Sequence, residues 1–567
     1  MALGDKLRAL FARRRRQPRT VISMHRERQV AVFSILLLLL VGLPLWWTTT
    51  RVYRADLPSE KVNLFAPENA FEVPLIFYID TESPLSADKA QLIQTNTQAL
   101  IDAERASFAV GEWRVRYLVD VRVGAAPDAP GHYTLYLRAD DATTTASISV
   151  GSDRSATISV TQSIVAEDIL PELISSIVIN EEQAVRGKDT KARKKSQSSH
   201  AAVNYAPEYS ITLTLLNEDP VNGAVVDWEI EQAVDAYLKP FVDKISPLTK
   251  LSLSSQILHH AGSPPVVPLR ANNQSYLTPE MLPHFVNSPS WNFASIDPIS
   301  PMLNFLLFVP ELTSQPMHIA DEKGDIQSSE AFLVSQWGGV AIANLPDTTR
   351  PGDRVKLSKT DMQKYMGYYI AQLRQLIGIR SGTPLPQHGS RARKGSISRI
   401  DTRLATETGI SDWEFDALLR QWLIRNRQTA ITTLQSLVRL VNSLQNMVVM
   451  DEIKAQVDKS LEALYKAEQA LTDILSLDSS RFHHSYQHAF ESAAAATAFA
   501  ETAFFDPSMV SMLYFPDQHK YAIYMPFFLP VAIPVLAAIK RIISERRRNK
   551  AIAAGVDSAD HAAKKSN

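Results

Sequence analysis

Two stretches of the chain run for the thickness of a bilayer without a formal charge, one near each end. Val30–Trp47 is 18 residues long, has Ser34 as its one hydroxyl, contains Leu36–Leu40 unbroken and closes on Trp46 and Trp47. At about 1.5 Å per residue a helix of that length covers about 27 Å, close to the hydrocarbon thickness. Tyr521–Ile539 is 19 residues long and starts with Tyr521 and Tyr524, ring types that favour the headgroup level. The pattern predicts one transmembrane helix at each end. A cleaved signal peptide fits the first stretch poorly: its basic lead is long, its apolar run exceeds the usual length of about 7–15 residues, and no small-x-small site follows Trp47. A buried core helix fits less well, because Leu36–Leu40 has no polar face.

Between the two stretches the pattern changes. Val73–Ile79, Trp113–Val123, Tyr133–Ala139, Ala146–Val150 and Ala156–Val160 are rich in β-branched and aromatic residues and read as strands. Helical periodicity appears at about Ser86–Ser107 and Ser163–Gln183. Further on, Ser210–Leu216 and Leu303–Val309 read as buried strands, and Phe332–Ser335 and Val340–Asn344 flank Trp337-Gly338-Gly339. Helices at about Asp227–Val242 and Thr360–Ile377 would cover this second sheet. From Ser411, which with Asp412 can cap a helix, long amphipathic helices follow. Leu434, Leu437, Val441, Leu444 and Val448 form one stripe; Ile453, Val457, Leu461, Leu464 and Leu471 form another, as in an antiparallel pair or bundle. Ala489–Ala503 is Ala-rich and strongly helix-forming.

The predicted fold class is therefore a mixed α/β region, with helices packed on sheets, followed by a long-helix C-terminal part and held by one transmembrane helix at each end. The implied division is a basic tail (1–29), a span (30–48), an α/β region (49–200), a second α/β region (201–400), a helical region (401–520), a span (521–540) and a second basic tail (541–567).

Charge sets the orientation. Residues 1–28 hold nine basic and two acidic groups, and residues 540–567 hold eight and three, which leaves 42 basic against 55 acidic residues between them. The overall net charge of −1 conceals this asymmetry. Lys and Arg resist translocation, so both termini are expected in the cytosol and the middle in the lumen. Lys564 and Lys565, fourth and third from the end, look like the dilysine retrieval signal of endoplasmic reticulum membrane proteins, which is read from the cytosol. The one Asn-x-Ser/Thr sequon, Asn273-Gln274-Ser275, is a candidate glycosylation site on the lumenal side. Two basic polar stretches, Arg186–Ser199 and Gln387–Arg399, read as loops. The first is read as a solvated mobile segment in preference to a contact for nucleic acid or another anionic surface.

Chemistry narrows the function further. The chain contains no cysteine, which excludes disulfides, a cysteine nucleophile and cysteine-ligated metals. It has no Gly-x-Ser-x-Gly elbow, phosphate loop, dinucleotide fingerprint or His-Glu-x-x-His. His484 and His488 stand four apart beside His483, and His259-His260 lies in a loop. The spacing of His484 and His488 could place both on one metal, but no carboxylate falls at a matching position between them, and surface or partly buried histidines are the better reading for both groups. Asp451-Glu452 reads as the acidic first turn of a helix. No catalytic, cofactor-binding or metal-ligating residue is assigned. Pro526, Pro530 and Pro534 recur every four residues, so they line one face of the second stretch and free backbone carbonyls there. That face suits packing against other membrane subunits; an isolated kinked anchor is the alternative.

Several motifs together resemble one family. They are Gly42-Leu43-Pro44-Leu45-Trp46-Trp47 with Tyr53-Arg54-Ala55 and Leu57-Pro58; Gln336-Trp337-Gly338-Gly339; Ala371-Gln372-Leu373-Arg374 with Gly378-Ile379; and Trp413-Glu414 with Leu418-Leu419. The most specific block is Ala503-Phe504-Phe505-Asp506-Pro507, Leu513-Tyr514-Phe515-Pro516-Asp517 and Lys520–Pro530. The chain resembles the PIG-S family of glycosylphosphatidylinositol (GPI) transamidase subunits, and looks like a fungal member. The resemblance implies a non-catalytic scaffold in the endoplasmic reticulum membrane, beside a caspase-like cysteine peptidase subunit (PIG-K), PIG-T, PIG-U and a GAA-type subunit. That complex replaces a C-terminal signal on a proprotein with a GPI lipid. The alternatives are a stand-alone membrane-anchored lumenal enzyme and an adaptor unrelated to GPI attachment.

Overall fold

The computed structural model describes residues 21–563 except 51–52, 66–70, 82–85, 107–114, 125, 127, 140–145, 161–165, 187–202, 220, 222–223, 260–263, 272–273, 288–290, 292–299, 322, 347–348, 380–396, 403–404, 445–446, 477–484 and 512–516. The chain divides into two compact units. One comprises Pro58–Ser436 and Gln456–Thr502; the other comprises Met1–Leu57, Leu437–Ala455 and Ala503–Asn567.

In the first unit, a short helix α2 (Ser59–Leu64) precedes a six-stranded sheet built on β1 (Phe71–Thr81). β1 lies between β2 (Val115–Val123) and β3 (His132–Ala139), parallel to both; the sheet continues through β5 (Ser155–Val160) and β4 (Ala146–Val150) to β16 (Ile397–Thr402). Among the described residues of this sheet, only β4 and β5 pair antiparallel. Alternation decides the faces. In β2, Val115, Tyr117, Val119 and Val121 are buried while their neighbours are half-buried or exposed. Helix α3 (Ala87–Ala106) buries Ala90, Ile93, Thr97 and Ile101, one helical face, and packs on β2 and on α4 (Ala166–Arg186). Its Gln94 and Gln98 also blunt the sheet edge. Their carboxamide oxygens accept from Val121 N and Val119 N at 3.3 Å, and Gln98 donates to Tyr117 O.

The second sheet has the order β13-β14-β11-β6-β8, with β6 (Glu208–Asn217), β8 (Lys250–Leu258), β11 (Met302–Val309), β13 (Ala331–Val334) and β14 (Gly338–Ile342). β6, β8, β11 and β14 run parallel, and β13 pairs antiparallel to β14. β7 (Ala224–Trp228) pairs with β15 (Arg354–Leu357) beside it. After β7 come α5 (Ile230–Ala233), a π-helical stretch (Val234–Leu238) and α6 (Lys239–Ile245). The helix expected from Asp227 therefore starts later, because Asp227 and Trp228 are taken up in strand pairing with Lys356 and Leu357. α7 (Lys359–Ile377) is set by a capping box between Ser358 and Asp361 and ends at Gly378, which has φ +95°. A small sheet of β9 (Leu269–Ala271), β10 (Gln274–Leu277) and β12 (Met317–Ile319) encloses a separate aromatic cluster. There Phe285 meets Phe308, Phe332 and Trp291 edge-on, at centroid distances of 5.1, 5.5 and 5.7 Å.

The helical part consists of α8 (Asp412–Ser443), α9 (Asp451–Ser476) and α10 (Ser485–Phe504). Leu434, Leu437 and Val441 of the first expected stripe are buried, but α8 stops at Ser443, so Leu444 and Val448 fall in the following turn. All five residues of the second stripe are buried. The alanines of α10 explain its close packing: Ala489, Ala493, Ala496 and Ala500 form a buried seam, and hydroxyls tie the backbones across it. Ser460 donates to Ala496 O at 2.7 Å and Thr497 to Asn426 O at 2.8 Å. Both large sheets, α8 and α10 share one contiguous core.

In the second unit, α1 (Val21–Thr50) encloses the first apolar stretch, and the short α11 (Pro507–Ser511) precedes α12 (Asp517–Ala563), which encloses the second. α1 and α12 touch, with Val32 and Val535 buried, whereas Phe33, Leu38, Leu40, Phe527 and Leu536 are all more than 60% exposed. Among the described residues no single helix is long and apolar enough to cross a membrane. Ala522–Pro530 and Ala532–Arg548 pass that test together, bent by 41° at their break, where Pro530 removes a backbone donor.

Several strands escaped the sequence reading. β16 begins inside the stretch read as a basic loop, and Ile397–Arg399 become a strand because β4 offers an edge. The Trp-Gly-Gly motif is explained by packing. Gly338 has φ +148°, and a Cβ there would lie 1.8 Å from Asn304 O. A Cβ on Gly339 would lie 2.0 Å from Gln372 Oε1, whose amide donates to Phe332 O at 2.9 Å and Val340 O at 3.0 Å. Gly339→Ala is expected to displace Gln372 and to cost about 1–3 kcal/mol for the two stranded carbonyls. Gly338→Ala, which meets backbone, is expected to abolish a cooperative transition. Thermal unfolding of the full chain in detergent checks both.

Candidate functional site

A dense polar constellation among the described residues of the first unit lies along α8. Ser411 caps it: Glu414 N donates to Ser411 Oγ at 3.4 Å and Ser411 N donates to Glu414 Oε2 at 3.0 Å. Asp412, Asp416 and Arg420 follow at intervals of four, on one face. Asp412 pairs with Lys244 of α6 at 2.5 Å and lies 3.8 Å from Arg154. Asp416, fully buried, takes two hydrogen bonds from Arg154 at 2.8 Å and one from Gly131 N at 3.3 Å. Arg154 also reaches Asp128 at 2.6 Å. Arg420 forks onto Glu181 of α4, with Nε to Oε2 at 3.0 Å, and donates to Tyr133 Oη at 2.7 Å. Beyond this face, Glu414 holds Arg374 of α7 through two bonds, and Arg427 pairs with Glu468 of α9 at 2.6 Å while lying over the Phe71 ring.

Aromatic side chains seal this seam. Tyr133 stacks on Trp413 at 4.1 Å, Trp413 Nε1 donates to Ser155 O at 3.2 Å, and Tyr486 Oη donates to Pro74 O. Burial opposes the charge on Arg420, but Glu181 outweighs it and raises the pKa further above its ordinary value. Arg154 behaves alike: burial is overcome by the hydrogen bond and charge of Asp416. Burial raises Tyr133, with Arg420 acting against it. Nearby His132 is pushed down to about 4, chiefly by burial and then by the charges of Arg122 and Arg154. It is neutral at physiological pH. Each carboxylate named here is matched to a cation or a capping backbone amide, an arrangement that fixes elements relative to one another.

The residues singled out from sequence are not drawn together. Asn273, Lys564, Lys565, His260, His483 and His484 lie outside the described residues, as do 187–199 and 387–396 of the two basic loops. His488 is exposed, 4.0 Å from Glu491, and His259 Nδ1 is 3.4 Å from Asn217 Nδ2. Asp451 accepts from Tyr53. Among the described residues no three His, Asp or Glu side chains are grouped so as to hold a metal ion. The seam itself went unread. Its signal was present in Leu418-Leu419-Arg420-Gln421-Trp422-Leu423, where an arginine interrupts an apolar helical run and so requires a buried partner.

The fold and the seam define a mixed α/β protein whose sheets are clamped by one long helix. The chain belongs to the PIG-S family: the family model described as phosphatidylinositol-glycan biosynthesis class S protein matches residues 33–549. Relatives are similar over nearly the whole length. A GPI-anchor transamidase component PIGS of Bos taurus is 29% identical, covering 94% of this chain and 97% of its own. The Homo sapiens protein of the same name is also 29% identical, with the same coverage. A GPI transamidase component PIG-S homolog of Schizosaccharomyces pombe is 26% identical, covering 92% of this chain and 86% of its own.

Replacing Arg420 by Met, which strands Glu181 and Tyr133 in the core, is expected to destabilise the first unit by about 3–5 kcal/mol. Replacing Arg420 and Glu181 together by Met and Leu is expected to cost much less. Chemical denaturation of the two variants checks the difference.

Proposed function

We propose that this chain is a non-catalytic subunit of a GPI transamidase in the endoplasmic reticulum membrane. Val30–Trp47 and Tyr521–Ile539 span the bilayer, both basic tails are cytosolic, and residues 49–520 form a lumenal scaffold. The observation that carries this reading is the near full-length similarity to proteins named as GPI transamidase components. The absence of cysteine agrees with it, because the acyl-enzyme thioester of such a reaction needs a thiolate, which a partner such as a PIG-K peptidase would supply. The seam along α8 supports a scaffold role, since it ties α8 to the first sheet, α4, α6 and α7. The apolar side chains exposed on α1 and α12 suit a lipid environment. The bend at Pro530 suits packing against membrane-embedded partners, among which PIG-U is a candidate, with PIG-T and a GAA-type subunit completing the assembly.

Depletion of the chain is expected to leave uncleaved proproteins accumulating beside intact free GPI lipid; normal anchoring in depleted cells would remove the reading. Rescue with Pro526, Pro530 and Pro534 all changed to Leu is expected to restore the chain but not its co-purifying subunits. In sealed microsomes, added protease is expected to spare residues 49–520 and trim the tails. Asn273→Gln is expected to abolish an endoglycosidase-sensitive mobility shift. Digestion of the middle segment would refute the orientation.

A further inference from the structure

The second unit contains a clasp between the chain leaving α1 and the turn that joins α8 to α9. Val449 N donates to Tyr53 O at 3.3 Å and Ala55 N donates to Val449 O at 2.9 Å, which makes a parallel bridge at Arg54. Tyr53 Oη donates to both carboxylate oxygens of Asp451, at 2.8 and 2.9 Å, and the Arg54 guanidinium donates to Val441 O. Tyr53 is three residues past the last residue of α1, so the clasp lies within about 10 Å of the helix end. A turn held that close to a membrane helix cannot stand far from the bilayer.

Side-chain exposure in the turn is selective. Met447 and Val449 are buried, at 2% and 0%, yet Met450 between Val449 and Asp451 is 44% exposed, and Tyr53 is 57% exposed. A large flexible apolar side chain and an amphipathic ring thus face outward at the position where the tether brings the turn to the headgroups. Both side-chain types favour that layer, with apolar bodies toward the acyl boundary and polar tips in water. The geometry points to the α8–α9 turn as a foot resting on the lumenal lipid surface, with Met450 and Tyr53 in the headgroup layer and the Tyr53–Asp451 and Arg54–Val441 bonds positioning them. This rests on α1 spanning the membrane. It adds that the turn between α8 and α9 contacts phospholipid.

The absence of cysteine allows a direct test on the full chain in phosphatidylcholine nanodiscs. Single variants Met450→Cys, Val267→Cys and Leu38→Cys carry an environment-sensitive fluorophore; Val267, in the other unit, is 83% exposed. The Met450 label is expected to be quenched by phospholipids brominated near the headgroup at least about twofold more than the Val267 label, and to be shielded from aqueous iodide. Asp451→Asn, which weakens the clasp without changing its size, is expected to lower that lipid quenching. Iodide access at Met450 equal to that at Val267, with Leu38 quenched by deeply brominated lipid, would overturn the foot and leave the span standing. Shielding of Met450 from both quenchers would mean that protein covers it, which also overturns the proposal. A Leu38 label untouched by brominated lipid would remove the span and the foot together.

Discussion

A guanidinium taken out of water is tolerated only where carboxylates or other acceptors replace the lost hydration. That constraint organises the first unit. Arg420 is 1% exposed, so α8 has one acceptable position: the one that sets its fork on Glu181 and an Nη1 donor on Tyr133. Asp416 imposes the complementary demand from the same face and takes Arg154 out of the turn between β4 and β5. Bonds of this kind add little net stability, since an apolar replacement of both partners would serve as well. They make other placements of the helix costly. A helix read as one arm of a bundle is thereby tied to the first sheet, to α4, to α6 and to α7.

The consequence is a body in which distant parts of the chain depend on one another. Strand β16 completes the first sheet some 250 residues after β4, with Ile397 opposite Ala146. Tyr486 reaches back to the carbonyl of Pro74 in β1, and Trp413 closes over Tyr133. For a subunit whose proposed work is to hold others in place, such cross-connection matters more than any single reactive group. Rigidity between surfaces is what a scaffold transmits.

The two apolar helices of the second unit expose much of their surface. Leu38 and Leu40 of α1 and Phe527 and Leu536 of α12 are exposed beside buried Val32 and Val535, so these helices meet each other along a narrow strip and offer the rest of their surface outward. Prolines in α12 add a bend that no single straight helix would show. The clasp at Tyr53–Asp451 is the polar counterpart, where the chain leaves the apolar segment and backbone groups again need partners.

Local pattern alone determined a good deal: the strands from Val73 to Val160, α3, α4, α7, the capped start of α8, the stripe of α9 and the charge asymmetry. Each of these follows from periodicity, capping chemistry or transfer cost, which act over a few residues. The sequence also carried the family, through motifs whose structural reasons emerge only from packing, such as Gly338 against Asn304 and Gly339 against Gln372. Tertiary structure decided what no local pattern encodes. β7, β8, β15 and β16 are strands because neighbours offer edges to them, and their serines, charges and short lengths conceal the alternation. Glu181, Asp416 and Glu414, which hold Arg420, Arg154 and Arg374, lie 239, 262 and 40 residues from them, and only the fold brings each pair within hydrogen-bonding distance. A charge announces in sequence that it must be satisfied, but which group satisfies it is a fact of three dimensions.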